Sequence, residues 1–191
     1  MSKIRTNPVY NAVLMFIGTV VSLYASFTLV VDALILAYTP AMELGCDISS
    51  RISCTSVAKS KYASFLTISQ APIPNALFGA LFFSAFMGLT VALILGFNPP
   101  KWFKWLIGVG VGACALFALY LLTVSVFILK VLCPYCIMMD FGVTLLVVGY
   151  IRWFASLRKE SNFRFLAHWS TILVEAIPFI LLTFVVISHI L

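Results

Sequence analysis

The chain has very few charged residues for its length. Of its 191 residues only 9% are charged, whereas 63% are hydrophobic, and the mean hydropathy is +1.12. These values lie outside the range of soluble globular domains and are typical of an integral membrane protein. The basic residues form no cluster interleaved with aromatic residues, which argues against nucleic-acid binding. The formal net charge of +6 is better explained by loop charge on one side of a membrane.

A cleavable signal peptide is also missing. The first apolar run extends from Ala12 to Tyr38, which is too long for the apolar region of a signal peptide. No clear small-residue cleavage site follows it. We therefore expect this run to remain in the protein as a membrane span.

Proline-containing breakers divide the rest of the chain into apolar segments. A bilayer core requires roughly 20 helical residues, and five segments meet this length. The breakers are Thr39-Pro40, the segment Pro72 to Asn75, and Asn98-Pro99-Pro100. The predicted spans are about 12–38, 75–97, 105–129, 133–151 and 165–191.

This pattern predicts an all-α integral membrane protein, with a four-transmembrane-helix bundle plus a fifth transmembrane helix. The chain is one membrane domain over 1–191, with a core at 1–152 and a basic loop and fifth helix at 153–191. In the first outer loop, Ser53 is a candidate cap for a short amphipathic helix. Apolar residues between Cys54 and Leu66 recur there at three and four residues. An irregular loop in contact with the headgroups is the alternative.

The distribution of Lys and Arg predicts the orientation. Placing the N-terminus, the 98–104 turn and the 152–164 loop on one side gives that side two, two and four basic residues, and the other side four. The positive-inside rule then places the N-terminus in the cytoplasm and the C-terminus outside. Both pairs of closely spaced cysteines reach the outer face, where disulfides persist.

One of these pairs opens the fourth span, in the sequence Cys133-Pro134-Tyr135-Cys136. Proline suits a first helical turn, so we expect Cys133 to be the cap and Cys136 a first-turn residue. The positive end of the helix dipole favours thiolate there. The spacing places both sulfurs on one helix face, with Asp140 one turn further along.

The other pair, Cys46 and Cys54, lies in the first outer loop. Four cysteines on one side of a membrane are also compatible with two structural disulfides, although a Cys-x-x-Cys ring is short and favours exchange. A four-thiolate zinc or copper site is a second alternative. The spacing of eight between Cys46 and Cys54 is not that of a zinc knuckle, and neither His168 nor His189 is near in sequence.

Two further possibilities concern haem attachment and the role of the fifth cysteine. Haem attachment is excluded at the motif, because Ile137 and not His follows Cys136. Cys114, in the middle of the third span, is expected to be a small packing residue. Two pairs instead suggest a relay, in which the loop pair exchanges with a soluble partner. The pair at the membrane boundary would then pass electrons to a lipid-dissolved acceptor such as a quinone.

The ordered set of motifs resembles the vitamin K epoxide reductase family over roughly residues 10–152. The bacterial DsbB-type oxidase carries out the same kind of relay from protein thiols to a quinone, but it resembles this chain less. Its Cys-x-x-Cys precedes its second cysteine pair and lies in a loop. The resemblance rests on Cys46-Asp47-x6-Cys54, Ser60 and Tyr62, Pro74-Asn75-Ala76-x2-Gly79, and Cys133-x2-Cys136.

The resemblance implies a role for each cysteine. Cys133 and Cys136 would be the active-site pair, with Cys136 nearest the quinone. Cys46 would take electrons from a reduced thioredoxin-fold partner, and Cys54 would exchange with Cys133.

It also implies contacts to a quinone of the menaquinone, ubiquinone or phylloquinone type. Asn75 would donate a hydrogen bond to a quinone carbonyl, although helix capping is a second role for it. Ser60 matches a family hydroxyl. Asp140 stands where some members carry a tyrosine donor, and its carboxyl would donate a hydrogen bond or relay protons. Asp32 and Glu175 are also acidic residues in apolar runs, but we assign them no role.

The implied function is reoxidation of a DsbA-like protein that makes disulfides in exported proteins. Some members fuse a thioredoxin-like domain after the fifth helix, whereas this sequence ends at Leu191, so a separate partner is expected. The final residues, Ser188 to Leu191, are not an endoplasmic-reticulum retention signal, which favours a bacterial plasma membrane. The alternatives are reduction of a quinone or quinone epoxide as the main purpose, and a non-enzymatic scaffold or metal-binding protein.

Overall fold

A computed structural model of the protein describes residues 7–68 and 71–157. The predicted fifth helix, with Glu175, and most of the basic loop before it lie outside the described residues. The helices are α1 (Pro8–Tyr38), α2 (Cys54–Ala58), α3 (Asn75–Ile94), α4 (Lys101–Thr123) and α5 (Pro134–Leu157). The strands are β1 (Leu66–Ile68) and β2 (Ala71–Ile73), and a π-helical segment spans Val124–Leu129.

Within residues 7–68 and 71–157, four helices are long and apolar enough to cross a membrane, which confirms the all-α membrane class. They are α1, α3, α5, and α4 together with the π-helical segment that continues it. The first begins four residues earlier than predicted, because Asn7 caps it by accepting the N–H of Val9 at 3.0 Å. Breakers in the sequence thus placed each described span to within a few residues.

Close backbone contact joins α1 to α5. A Cβ atom added to Gly18 would lie 2.5 Å from the carbonyl oxygen of Gly142, so only hydrogen fits at this crossing. One turn further, Ser22 donates to the carbonyl of Met139 at 3.1 Å. Small residues at helix crossings permit this approach in membranes. The main core of the bundle includes Ala12, Met15, Phe83, Phe86, Ile107, Val111, Leu146 and Trp153.

The outer loop differs from the predicted amphipathic helix. Ser53 does cap α2, accepting the N–H of Ser56 at 3.0 Å, but the helix ends at Ala58 instead of continuing to Leu66. Further along, β1 and β2 form an antiparallel hairpin in which Leu66 pairs with Ile73. The expected extent of the helix was therefore wrong. The backbone beyond Ala58 is held in turns by Asn75, whose contacts are described below.

The connection from α4 to α5 is tightly turned. After the π-helical segment, Lys130 adopts φ 53°, a left-handed conformation that is uncommon for residues other than glycine. Ser125 closes this turn, since its hydroxyl donates to the carbonyl of Val131. Its own carbonyl accepts the N–H of Val131 at 3.3 Å. The turn reverses the chain within a few residues and delivers Cys133 to the start of α5.

Candidate redox site

Cys133 occupies the predicted position at the start of α5. The helix begins at Pro134, and the carbonyl of Cys133 accepts the N–H of Ile137 at 3.1 Å. The Cys133 sulfur lies 3.4 Å from the N–H of Cys136, as a capping side chain does. A hydrogen bond from the Cys136 thiol, aided by the N–H groups of Cys136 and Tyr135, lowers the pKa of Cys133 despite its burial. Cys133 is therefore prepared to act as a thiolate.

In the outer loop, Cys46 and Cys54 are joined in a disulfide with a Cα–Cα distance of 5.8 Å. Asp47 holds the two ends of this loop together, because its carboxylate accepts both the N–H and the hydroxyl of Thr55. Hydrogen bonding, led by that hydroxyl, lowers the pKa of Asp47 from 3.8 to about 2. The same Thr55 hydroxyl accepts the N–H of Leu44 at 3.1 Å, so both ends of the disulfide loop meet at one side chain.

Backbone bonds join this loop to the segment before α5. The N–H of Leu132 donates to the carbonyl of Arg51 at 2.9 Å, and the N–H of Ser53 donates to the carbonyl of Leu132 at 3.0 Å. This short parallel bridge aligns the residues that follow. As a result the sulfur of Cys54 lies 3.6 Å from the sulfur of Cys133, and both side chains are buried.

The cysteines form a small apolar cluster at one end of the bundle. Leu36, Leu44, Cys54 and Cys133 are buried in it, and Cys46 and Cys136 pack against them. Cys114 instead packs against the main core. The structure thus brings together the four predicted cysteines and leaves the fifth apart from them.

Comparison with family models finds a match. Residues 13–151 match the model of the vitamin K epoxide reductase family, which is well over half of the chain. The chain belongs to this family. No curated protein matches the sequence. Membership makes the protein an oxidoreductase of a family that generally uses quinones and works with thioredoxin-like partners.

The vitamin K epoxide reductase pattern assigned Asn75 to the quinone, and the structure gives this residue a second set of contacts. Its side-chain oxygen accepts the N–H of Phe65 at 3.0 Å, and its amide nitrogen donates to the carbonyl of Tyr62 at 2.8 Å. The cap of α3 is Pro74, so capping by Asn75 was not the right alternative. A primary amide has two N–H groups, so one donor remains for a ligand.

Ser60 and Asp140 share an unusual feature. The hydroxyl oxygen of Ser60 and one carboxyl oxygen of Asp140 are buried without a hydrogen-bond partner within residues 7–68 and 71–157. Buried polar atoms are nearly always satisfied, and exceptions indicate a function or a missing partner. A ligand with carbonyl oxygens, such as a quinone, fits donors of this kind. Ser60 was predicted from the family pattern and Asp140 from a departure from that pattern, and both roles stay predictions.

Asp32 is the residue that the sequence analysis left without a role. Its carboxyl oxygen lies 4.0 Å from the Cys46 sulfur, and its side chain is 9% exposed. One ligand-type atom each of Asp32, Cys46 and Cys54 lies within 4.8 Å of the others. In the disulfide neither sulfur is a thiolate, the form that binds metals. The only signal in the sequence was an acidic residue inside an apolar run.

Proposed function

We propose that this family member is a quinone-dependent membrane thiol oxidase that reoxidises a DsbA-like thioredoxin-fold partner. The observation that carries the proposal is the 3.6 Å contact between Cys54 and Cys133, which links the loop pair to the pair at the helix start. Together the four cysteines form a path of thiol–disulfide exchange from the outer loop to the bundle.

The path operates by successive exchanges, each of which makes and breaks one S–S bond. A partner thiolate attacks Cys46, and Cys54 leaves as a thiolate. Cys54 then attacks Cys133 of an oxidised Cys133–Cys136 pair, and Cys136 leaves as a thiolate. The second partner thiol releases Cys46, which attacks Cys54 and expels Cys133. The partner is then oxidised, the loop disulfide is restored, and two electrons remain on Cys133 and Cys136.

A bound quinone supplies the two-electron acceptor for this pair. Asn75 and Asp140 would hold it through the remaining amide N–H and a protonated carboxyl, and Ser60 through its hydroxyl. Within the part of the chain that the structure describes, one buried oxygen each of Ser60 and Asp140 has no hydrogen-bond partner, which supports this assignment. Asp140 lies one helical turn beyond Cys136 and is thus placed to carry a proton near the thiol.

The basic residues support an orientation with the cysteines on the outer face of a bacterial plasma membrane and the N-terminus in the cytoplasm. A separate thioredoxin-fold protein would meet the loop there, since Cys46 is only partly buried whereas Cys54 is fully covered. This difference in exposure supports Cys46 as the sulfur for the partner and Cys54 as the sulfur for Cys133.

The test is turnover of the purified protein with a reduced thioredoxin-fold substrate and a soluble quinone. Cys133→Ala should abolish turnover, whereas Cys114→Ala, which changes a cysteine outside the cluster, should retain it. Cys54→Ala, mixed with the oxidised partner, should accumulate a mixed disulfide, because the Cys46 thiolate attacks the partner disulfide and one partner thiolate leaves. Non-reducing gels and mass spectrometry detect this species. Turnover that survives Cys133→Ala would refute the proposal.

A further inference from the structure

We propose that Asp32 sets the direction of exchange between the two cysteine pairs. Its carboxylate disfavours negative charge on Cys46, so electrons that have reached Cys133 do not return to the loop. The inference rests on the relay proposed above and adds to it a residue that neither the sequence motifs nor the family match identifies.

The geometry is a carboxyl held against one end of the disulfide. Asp32 projects from α1, and its oxygen lies 4.0 Å from the sulfur of Cys46, the cysteine that faces the partner. Leu36, one turn later on α1, is buried in the cysteine cluster and helps to hold this part of the helix against the loop. Charges at such a distance interact strongly where water is largely excluded.

The step that Asp32 influences is the return of electrons to the loop. The Cys133 thiolate attacks the Cys54 sulfur, the Cys54–Cys133 bond forms, and the Cys46–Cys54 bond breaks. Cys46 leaves as a thiolate. No net oxidation occurs, because one disulfide replaces another, and the negative charge moves from Cys133 to Cys46.

The two ends of this exchange differ in their surroundings. At Cys133 the charge meets the N–H of Cys136, whose nitrogen lies 3.4 Å from the sulfur, and the positive end of α5. Asp32 also opposes a thiolate at Cys133, but it is the smallest influence on the pKa of that thiol, and hydrogen bonding outweighs it. At Cys46 the charge meets the carboxyl of Asp32, 4.0 Å away. Both ends favour the loop disulfide with a free Cys133, which is the arrangement in the structure. Asp32 would thus place negative charge near Cys46, whereas the start of α5 places positive partial charge near Cys133.

The direction in which Asp32→Asn changes the share of the Cys54–Cys133 disulfide distinguishes an ionised Asp32 from a protonated one. A protonated Asp32 would donate a hydrogen bond to the Cys46 thiolate and favour the Cys54–Cys133 disulfide. An ionised Asp32 disfavours it. Replacement by Asn removes the charge at nearly constant volume, so it should raise the share of the Cys54–Cys133 disulfide only in the ionised case.

The experiment uses the full chain carrying Cys114→Ser and Cys136→Ser, without quinone or partner. Cys46, Cys54 and Cys133 then share one disulfide and one thiol. The chain is equilibrated above the ordinary thiol pKa of about 8.5, so that the displaced sulfur is a thiolate, and is then quenched with acid. Alkylation and peptide mass spectrometry give the ratio of Cys54–Cys133 to Cys46–Cys54. Asp32→Asn should raise this ratio by about tenfold or more, as expected for losing a charge at this distance.

Two control variants separate local charge from other effects. Asp32→Glu keeps the charge and should leave the ratio close to that of the parent. Glu43→Gln removes an exposed carboxylate from the same loop and should change the ratio little. A purely structural role for Asp32 would not produce this order of the three variants.

The outcomes separate the two proposals. If the Cys54–Cys133 disulfide forms but Asp32→Asn leaves its share unchanged or lowers it, the role of Asp32 is refuted and the relay stands. If this disulfide forms in none of the variants, the contact between the pairs carries no exchange. The relay and the role of Asp32 then both fail.

Discussion

Ser53 and Leu132, the residues that precede Cys54 and Cys133, are hydrogen-bonded to each other at 3.0 Å. The bond runs from the N–H of Ser53 to the carbonyl of Leu132, so it involves backbone alone. Because each cysteine follows directly, this bond brings the sulfurs of Cys54 and Cys133 to 3.6 Å. The exchange distance is therefore built into the backbone and does not depend on side-chain recognition.

Ser53→Pro should separate the two sulfurs. Proline removes the donated N–H and requires φ near −65°, whereas Ser53 has φ −151°. In a chain that also carries Cys46→Ser and Cys136→Ser, the yield of the Cys54–Cys133 disulfide should fall several-fold. Ser53→Ala is the control, since it keeps the N–H and loses only the helix cap, a cost of about 1 kcal/mol. Equal yields in both variants would show that the bridge is dispensable.

Asn75→Ala should destabilise the outer loop as well as weaken quinone binding. It leaves the N–H of Phe65 and the carbonyl of Tyr62 without their side-chain partner, and each of these part-buried hydrogen bonds contributes about 1 kcal/mol. Thermal unfolding in detergent should show a lower midpoint even without quinone. If the midpoint is unchanged and only the KM for quinone rises, the loop contacts contribute nothing and ligand binding is the whole role.

Asp140→Asn should retain most of the turnover, because an amide at this position still donates a hydrogen bond to a quinone oxygen. Asp140→Leu, similar in size but without a donor, should lose about tenfold or more. Steady-state turnover with a soluble quinone measures both. A loss in Asp140→Asn as large as that of Cys136→Ser would show that the ionised or proton-carrying carboxyl is essential.

Asp47→Asn should remove a pH dependence from the outer loop. The pKa of Asp47 is lowered from 3.8 to about 2 in the folded protein, so its carboxylate stabilises the fold above pH 4. This contribution is lost as the pH falls from about 4 through 2. The wild-type melting temperature should therefore fall more steeply over this interval than that of Asp47→Asn. Parallel curves for the two proteins would contradict the assignment.

Gly18→Ala should weaken the crossing of α1 and α5. The added methyl group would lie 2.5 Å from the Gly142 carbonyl oxygen, and overpacking of this kind costs about 1–3 kcal/mol. Gly112→Ala is the matched control, because no heavy atom lies within 4 Å of its added Cβ. It should be neutral or stabilising by up to about 1 kcal/mol, as alanine favours helix. Similar melting temperatures for both variants would disprove the close contact.

Local chemistry was predictable from the sequence, and contacts between distant segments were not. Proline at the start of α5 and serine before α2 identified both caps, since capping depends on residues within one turn. The placement of Asp32 beside Cys46 depends on how the loop folds back on α1, which leaves no local pattern. The hairpin is local, with Leu66 paired to Ile73, but it was missed because the sequence was interpreted by helical periodicity as far as Leu66 and as a breaker from Pro72. The helical periodicity from Cys54 to Leu66 was overridden by the contacts that Asn75 makes with the backbone.

The backbone bridge at Leu132 also determines how far the sulfurs of Cys54 and Cys133 must move to form a bond. A disulfide requires its sulfurs about 2.05 Å apart, and those of Cys54 and Cys133 are separated by 3.6 Å. The proposed exchange therefore requires little movement of the loop that carries Cys54. In the proposed relay this loop would bind the partner without moving between two positions. Encounter with the partner would then respond to solvent viscosity and salt, whereas the inner exchange would respond only to the chemistry of the sulfurs.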